Sequence, residues 1–274
     1  MRKIFVGVGL AVLTLGSGAA LVAAQTAPPT VTLTVGNRTV AGPPAVAAGP
    51  TRLDFRVSPR REASLTVFAL KPGVTVEQFR AALPRLRSPE SALRYGTFEA
   101  GGGPKRGSFA TTLTLRTGQY VVLNTAAERP RDFAFGSFTV GQPGTPVTAP
   151  TPDATVTMRD YRFTGSRSLP RRGTVRFENR GDQAHFAFSA RLRRGVSERR
   201  ALRAARSRSE NALERIVLPQ SFYEVDGVQS PGASADNEIN FGRAGRYLLV
   251  CFLEGGPRNR SHNQLGMERV LNVR

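Results

Sequence analysis

Residues Gly245 to Phe252 read G-R-Y-L-L-V-C-F, a short apolar run that is typical of a buried β-strand. The run carries Cys251, the only cysteine of the chain, to its far end. A loop rich in glycine, proline and arginine follows, and then come His262, one of only two histidines, and Met267. This order predicts that a strand end and the loop after it present sulfur and nitrogen side chains at one place.

The second histidine, His185, lies upstream and completes a candidate ligand set. A thiolate, two imidazoles and a weakly bound thioether are typical of a redox copper site, whereas structural zinc takes four nitrogen or sulfur ligands. We therefore predict that His185, Cys251, His262 and Met267 bind one copper ion. Taken one at a time, each has a plainer interpretation, because histidines occur in turns, and lone cysteines and methionines are often buried in cores.

The first 24 residues predict a secretory signal. Arg2 and Lys3 precede the apolar segment Ile4–Leu15, and mostly small residues complete residues 1–24. Cleavage there would place the mature chain outside the cytoplasm, either secreted or in the periplasm or cell envelope, with no stable transmembrane segment. An uncleaved anchor is the alternative, because residues 4–24 are just long enough to span a bilayer.

The chain is strongly basic, with a formal net charge of +19. Such a balance favours anionic partners, for example envelope polymers, lipid head groups or acidic proteins, and we expect no nucleic-acid partner because no binding motif is present. The arginine-rich stretch 191–208 predicts a surface that docks an acidic redox partner or an envelope polymer, with a merely solvated helix face as the alternative. The residues assigned to this surface are Arg191, Arg193, Arg194, Arg199, Arg200 and Arg203.

The sequence repeats one unit. Residues 55–73 overlay residues 177–195 without a gap, at an offset of 122 (from 55 to 177). The stretch G-Q-Y from Gly118 matches G-R-Y from Gly245, at an offset of 127 (from 118 to 245). Several short strands separated by turn residues are typical of a β-sandwich.

We therefore predict an all-β fold of two tandem antiparallel β-sandwich domains, each with a helical insertion. The domains span residues 28–140 and 153–274, and residues 141–152 form a proline-rich linker. In the first domain, turn-rich segments are expected at residues 41–50 and 101–103, and Thr75 with Gln78 has the spacing of a capping box at a helix start. Its predicted strands are Thr30–Val35, Leu53–Val57, Leu65–Leu70, Phe109–Leu115, Gly118–Asn124 and Phe133–Val140.

The repeat offers an internal control for the ligand prediction. His185 aligns with Ala63, and Cys251 aligns with Asn124. The segment after Asn124 contains neither histidine nor methionine up to the linker. Since the first unit keeps the strand pattern without these side chains, the comparison favours a ligand site in the second unit, with different packing of the two units as the alternative.

Residues 155–274 resemble the cupredoxins, the blue-copper family of plastocyanin, azurin and the copper nitrite reductases. The resemblance lies in D-Y-R-F from Asp160, V-R-F-E-N-R-G-D-Q-A-H from Val175, G-R-Y-L-L-V-C-F, and H-N-Q-L-G-M from His262. It implies a Greek-key sandwich in which Asn179 begins the turn before the first histidine and Met267 is a weak axial ligand. It also implies electron transfer, with His262 on an exposed loop as the electron port.

Two features depart from the electron-transfer members of that family. Ten residues separate Cys251 from His262, and the loop is charged and rich in glycine, so we expect His262 to be held loosely. Phe186 follows the first histidine where many relatives place a small polar residue near the sulfur, and such neighbours tune a metal site. Copper handling by a labile site is therefore open beside electron transfer.

An enzyme is not predicted. Two histidines cannot supply a trinuclear copper cluster or the second copper site of a nitrite reductase, and no nucleophile or dinucleotide-binding motif is present. The sequence is thus interpreted as an exported copper-binding protein with a type 1-like site. The alternative is a metal-free tandem β-sandwich that binds anionic envelope components or a protein partner.

Overall fold

The computed structural model describes residues 27–58, 62–103, 107–127, 129–144 and 146–274. These residues form an all-β structure with short helices, as the sequence predicts. The predicted secretory signal, residues 1–24, lies outside the described residues. Within the described ranges, no helix is both long and apolar enough to cross a membrane.

The described residues of the first half form eight strands and two short α-helices. The strand Leu65–Leu70 is buried along nearly its whole length, because its alternate side chains pack into two hydrophobic clusters, one on each face of the sheet. The helices α1 (Val76–Ala82) and α2 (Pro89–Ala92) lie between the fourth and fifth strands. The strands are β1 (Thr30–Val35), β2 (Val40–Ala41), β3 (Ala45–Val57), β4 (Leu65–Leu70), β5 (Gly96–Gly102), β6 (Phe109–Leu115), β7 (Gly118–Asn124) and β8 (Ala134–Pro143).

The second half forms nine strands and two further helices. The helices α3 (Glu198–Ala205) and α4 (Glu210–Glu214) lie between the fifth and sixth strands of this half. The strands are β9 (Ala154–Arg159), β10 (Arg162–Gly165), β11 (Ser168–Leu169), β12 (Arg172–Asn179), β13 (His185–Arg191), β14 (Tyr223–Gln229), β15 (Ser234–Asn240), β16 (Gly245–Val250) and β17 (Glu268–Val273).

The two halves pair their strands in the same way. In the first half, β3 lies between β1 and β6, and β4 lies between β5 and β7, with β8 beyond β7. In the second half, β12 lies between β9 and β15, and β13 lies between β14 and β16, with β17 beyond β16. Most pairs are antiparallel, but β1 with β3, β3 with β8, β9 with β12 and β11 with β17 are parallel, so the sheets are mixed.

The register also matches between the halves. Ala69 of β4 is paired with Tyr120 of β7, and Arg191 of β13 is paired with Tyr247 of β16. The offsets of 122 and 127 residues read from the sequence therefore relate paired positions of the two halves. It follows that Asn124 and Cys251 occupy corresponding strand ends.

A feature that the sequence did not reveal is that the halves share one sheet. Strand β6 of the first half pairs with β15 of the second, at Thr112 with Asp236 and at Thr111 with Asn237. The predicted turn at residues 101–103 is in large part strand, because β5 runs to Gly102. A Cβ on Gly101 would lie 3.2 Å from the Cα of Gly227 in β14, so the glycines allow a close crossing of the two halves.

Each half has a sandwich core and a second cluster beneath its helices. In the first half the helices pack on strands β4 and β7, where Phe79 is buried. In the second half they pack on β13 and β16, where Ala201 and Ala205 are buried. The predicted capping box is confirmed: Gln78 N donates to Thr75 Oγ1 (3.1 Å), and Thr75 N donates to Gln78 Oε1 (2.9 Å). Helix α1 therefore forms where a local cap and a buried apolar residue, Phe79, coincide.

Two strand boundaries differ from the sequence prediction. The segment 41–50, expected to be a turn, contains the first part of β3, where Ala45 and Val46 pair with Thr139 and Val140 of β8. Strand β8 ends at Pro143, three residues inside the segment predicted as a linker. In both places tertiary pairing gives β structure to a sequence with little periodicity of its own.

Candidate metal centre

His185 begins β13, directly after the loop that leaves β12. Its side chain is fully buried. The loop is held by Asn179, whose amide donates to the carbonyls of Gln183 (2.8 Å) and Gln229 (2.9 Å) and accepts from the N–H of Gly181 (2.9 Å). Asn179 thus begins the turn before the histidine, as the resemblance implies, and its side chain holds that turn through three hydrogen bonds.

Cys251 directly follows β16 and is also fully buried. Its backbone N–H donates to the carbonyl of Met267 (3.1 Å), so the two ends of the candidate ligand loop are tied together. Its sulfur accepts hydrogen bonds from the backbone N–H groups of Phe186 and Leu253. Phe186, expected to affect the sulfur through its side chain, contacts it through the backbone.

His262 is held firmly, so the expectation of a loosely held histidine is wrong. Its side chain is 1% exposed. Its backbone N–H donates to the carbonyl of Leu253 (2.8 Å), and its carbonyl accepts from Met267 N (2.9 Å). The ring of Tyr161 stands edge-on to the imidazole at 5.4 Å between centroids. A long loop is fixed here because it folds back on itself through backbone hydrogen bonds.

The structure brings the two histidines and the cysteine together. One ligand atom from each of His185, Cys251 and His262 can be chosen so that all lie within 4.8 Å of one another. The two Nδ1 atoms are 3.1 Å apart, and the sulfur is 3.7 Å from Nδ1 of His262. With zinc bond lengths of about 2.0–2.1 Å to nitrogen and 2.3 Å to sulfur as a guide, donors of one ion can be up to roughly 4.1–4.4 Å apart. Both distances therefore fit one metal ion.

Burial sets the protonation states of the three side chains in the metal-free protein. It lowers the pKa of His185 to about 4, with the neighbouring His262 adding to the effect and Asp160 opposing it. It also lowers the pKa of His262. It raises the pKa of the Cys251 thiol to about 12, against the two N–H donors. At neutral pH the site offers two neutral imidazoles and a protonated thiol, and a bound metal would displace the thiol proton.

Met267 lies next to Cys251 and His262 through its backbone. Its carbonyl accepts from Cys251 N and its N–H donates to the carbonyl of His262. Its side chain is fully buried in the same core cluster as the cysteine. A thioether in this place suits the weak fourth position of a copper site.

Two residues beside the site had no role assigned from the sequence. Oδ1 of Asp160 lies 3.1 Å from Nε2 of His185, on the ring edge away from the cysteine and His262. Tyr161 packs on His262 and accepts from Gln183 Nε2 through its hydroxyl (2.7 Å). Both belong to the two-residue turn between β9 and β10, which brings one contact to each histidine. The motif D-Y-R-F could have pointed to them only through the resemblance.

The arginine surface lies mainly on and before α3. Arg191 is half-buried in β13, whereas Arg193, Arg194, Arg199, Arg200 and Arg203 are exposed. Among the described residues, none of these five exposed arginines forms an ion pair.

Helix α3 is anchored to the candidate ligand loop. Nδ2 of Asn263, the residue after His262, donates to the carbonyl of Ala205 (2.6 Å). Nε of Arg206 donates to the buried carboxylate of Glu268, the residue after Met267 (2.6 Å). The arginine surface is therefore joined to the site at two points.

No protein-family model matches the chain, and no curated protein matches it. Among solved structures it is similar to reduced auracyanin from Roseiflexus castenholzii, with 16% identity over 44% of this chain and 94% of that one (TM-score 0.28). It is also similar to auracyanin A, a blue copper protein from Chloroflexus aurantiacus, with 17% identity over 44% and 99% (TM-score 0.26). The copper nitrite reductase from Nitrosomonas europaea matches with 10% identity over 91% and 94% (TM-score 0.26). TM-scores this low add no weight to a function, which rests on the site geometry.

Proposed function

We propose that this chain is an exported copper-binding protein that transfers electrons through one type 1-like site formed by His185, Cys251, His262 and Met267. The observation that carries the proposal is the convergence of two Nδ1 atoms and one thiol in a buried pocket. When bound, copper supplies one-electron chemistry between its Cu(I) and Cu(II) states, for which a soft His₂Cys set with a distant thioether is suited. Export is inferred from residues 1–24 alone.

The side chains are arranged to hold their positions rather than to move. Cys251 and His262 are fixed by backbone hydrogen bonds within the loop, and His185 is fixed at the start of a central strand. All three are buried, so bulk water does not compete for the donors. A site held in this way favours electron transfer over copper handling, because handling requires an ion that is readily released.

The test is copper titration of the full mature chain, followed by visible absorption and by measurement of bound copper. We expect one copper per chain and an intense thiolate-to-Cu(II) band that Cys251→Ser abolishes. Met267→Leu should keep the band and shift the reduction potential, because the thioether is a weak ligand. Tight binding that is unaffected by Cys251→Ser would remove the cysteine from the site. Absence of binding would leave the metal-free β-sandwich as the better interpretation.

A docking role for the arginine surface is proposed as part of this function. The five exposed arginines lack intramolecular ion pairs among the described residues, and α3 is anchored beside both His262 and Met267. An acidic face of a redox partner would therefore bind next to the copper ligands. Electron exchange with a small anionic redox protein should slow as salt rises, because charges about 8–10 Å apart are screened at physiological ionic strength.

The matched test replaces Arg199, Arg200 and Arg203 with glutamine. We expect the salt dependence of electron exchange to weaken while the visible band stays unchanged. The control replaces Arg162, Arg172 and Arg243, which are exposed and lie outside α3, and should leave the salt dependence in place. Equal effects of both triple variants would contradict a specific docking surface and would indicate a response to net charge alone.

A further inference from the structure

The carboxylate of Asp160 lies against the outer edge of the buried histidine. Its Oδ1 is 3.1 Å from Nε2 of His185. The same oxygen accepts from the backbone N–H groups of Asp182 (3.0 Å) and Gln183 (3.3 Å). Because Oδ1 already accepts two N–H groups, it faces the imidazole as an acceptor and not as a hydroxyl donor.

The contact is built into the backbone around it. A Cβ added to Gly181 would clash with the Asp160 carboxylate and lie 2.9 Å from Nε2 of His185. Only glycine leaves this space free, and its N–H is held by Asn179. The turn that carries Asp160 is fixed by the pairing of Arg159 with Arg162. The geometry therefore belongs to the fold and does not depend on a flexible surface side chain.

The contact decides which nitrogen of His185 is free. A neutral imidazole carries one N–H, and the hydrogen-bond partner of one ring nitrogen fixes the tautomer. With Nε2 donating to Asp160, Nδ1 keeps its lone pair, and Nδ1 is the atom that lies 3.1 Å from Nδ1 of His262. The carboxylate also makes the imidazole a stronger donor to a metal, an effect that favours the more highly charged ion.

We propose that Asp160 is a positioning residue for the copper site, which holds His185 in its Nε2–H tautomer and lowers the reduction potential of the bound copper through its negative charge. The effect on the reduction potential rests on the proposed function, whereas the choice of the His185 tautomer concerns the metal-free protein. The carboxylate is 31% exposed, so water screens part of its charge and the effect on the potential is moderate.

The test compares three single variants of the full chain. Asp160→Asn keeps an acceptor oxygen of the same size, oriented by the two backbone N–H groups, and removes the charge. Asp160→Ala removes both the acceptor and the charge. Asp182→Asn is the matched control, because Asp182 is an exposed acid of the neighbouring loop between β12 and β13, and its backbone N–H, not its carboxylate, contacts Asp160.

In the metal-free protein the readout is the His185 tautomer, measured by ¹⁵N NMR. We expect the Nε2–H form in the parent chain, in Asp160→Asn and in Asp182→Asn, and its loss in Asp160→Ala. Retention of the Nε2–H form in Asp160→Ala would overturn the positioning role. Should Asp160→Ala fail to fold, Gly181→Ala gives the same comparison, because the added methyl separates the two side chains while both remain present.

In the copper-loaded protein the readouts are affinity and reduction potential. We expect Asp160→Ala to lose roughly 10–100-fold in copper affinity. We expect Asp160→Asn to keep its affinity within a few-fold and to favour Cu(I) over Cu(II) by about tenfold, a rise of about 59 mV for one electron. Equal potentials for Asp160→Asn and Asp182→Asn would overturn the charge effect. A parent chain that binds no copper would refute the proposed function, and the NMR comparison would still decide the role of Asp160.

Discussion

Asn124 in the first half and Cys251 in the second occupy the same strand end and the same hydrogen-bonded frame. Oδ1 of Asn124 accepts from the backbone N–H groups of Ser64 (3.0 Å) and Ala126 (3.2 Å). The N–H groups at the corresponding positions of the second half donate to the sulfur of Cys251. The fold thus provides two N–H donors to an acceptor in both halves, and the side chain decides what that acceptor can bind.

The histidine position differs in the same way. Ala63 stands in the first half where the second has His185, and it packs against the first sandwich core. An amide oxygen and an alanine give no soft donors, so these two positions of the first half keep the frame without the ligand atoms found in the second. Its contribution to the second half is structural, through the shared β6–β15 pairing and the close crossing of β5 and β14.

The largest expected effect comes from giving the second half the residue of the first. Cys251→Asn should remove the thiolate-to-Cu(II) band and lower copper affinity by more than about 100-fold, because loss of a ligand exceeds the effect of losing its neighbour. The fold should be kept, since asparagine accepts the same N–H pair in the first half. Copper titration and circular dichroism measure the two effects.

The reverse exchange is the control. Asn124→Cys should not create a blue copper band, because no histidine lies at position 63. A band in Asn124→Cys with Cys251→Asn in the same chain would contradict the view that the histidines make the difference between the halves.

The next largest effect is an increase in the free energy of unfolding of the second half when copper is bound. At a free copper concentration of about 1,000 times Kd, the second half should gain about 4 kcal/mol, because a ligand of the native state stabilises by mass action. Hydrogen exchange should report extra protection in β13, β16 and the loop 251–267. Unchanged exchange in that loop at saturating copper would contradict a site there, and Cys251→Asn should show no protection.

Copper affinity should depend on pH, because Cys251, unlike Asn124 at the corresponding strand end, must lose a proton to bind the metal. The Cys251 thiol has a pKa of about 12, so below that pH each bound copper releases its proton. Affinity should therefore rise about tenfold, or 1.4 kcal/mol, for each pH unit from about 5 to 9, and fall more steeply below about pH 4, where His185 is protonated. Competition with a chelator of known pH dependence measures the slope. A flat profile would indicate binding without the thiolate.

The smallest expected effect is on the stability of the metal-free protein, through the hydrogen bonds that Asn124 accepts. Asn124→Ala leaves the N–H groups of Ser64 and Ala126 without their acceptor and should destabilise the protein by roughly 1–2 kcal/mol. Urea denaturation of the metal-free chain measures it. Asn124→Asp, which keeps the acceptor, should cost less. An Asn124→Ala protein as stable as its parent would show that these hydrogen bonds are replaced by water.

The sequence predicted much of the fold because its signals are local. The bounds of β1, β4, β6 and β7 and the cap at Thr75 follow from alternation, turn residues and capping-box spacing. The repeat gave the register of the two halves through two constant offsets. The boundaries that it missed, at β3, β5 and β8, are places where a strand forms because a partner strand is available and not because of its own pattern.

The candidate ligands were predicted for a different reason. Residue scarcity and spacing identified His185, Cys251, His262 and Met267, but they said nothing of burial. His262 was expected to be held loosely on an exposed loop and is instead buried and fixed, because the loop closes through hydrogen bonds that join His262 to Leu253 and Met267. Asp160 had no assigned role, because a carboxylate 25 residues from a histidine carries no local sign of contact with it.

By itself the sequence determined the strand pattern, the matching order of strands in the two halves and the kinds of donor atoms available, because each of these depends on residue type and short-range spacing. The tertiary structure decided the rest: that the halves share a sheet, that the two Nδ1 atoms and the sulfur converge, and that a carboxylate contacts one histidine. Such relations join residues far apart in the chain. Their distances are fixed only when the sheets pack and the buried polar groups find their partners.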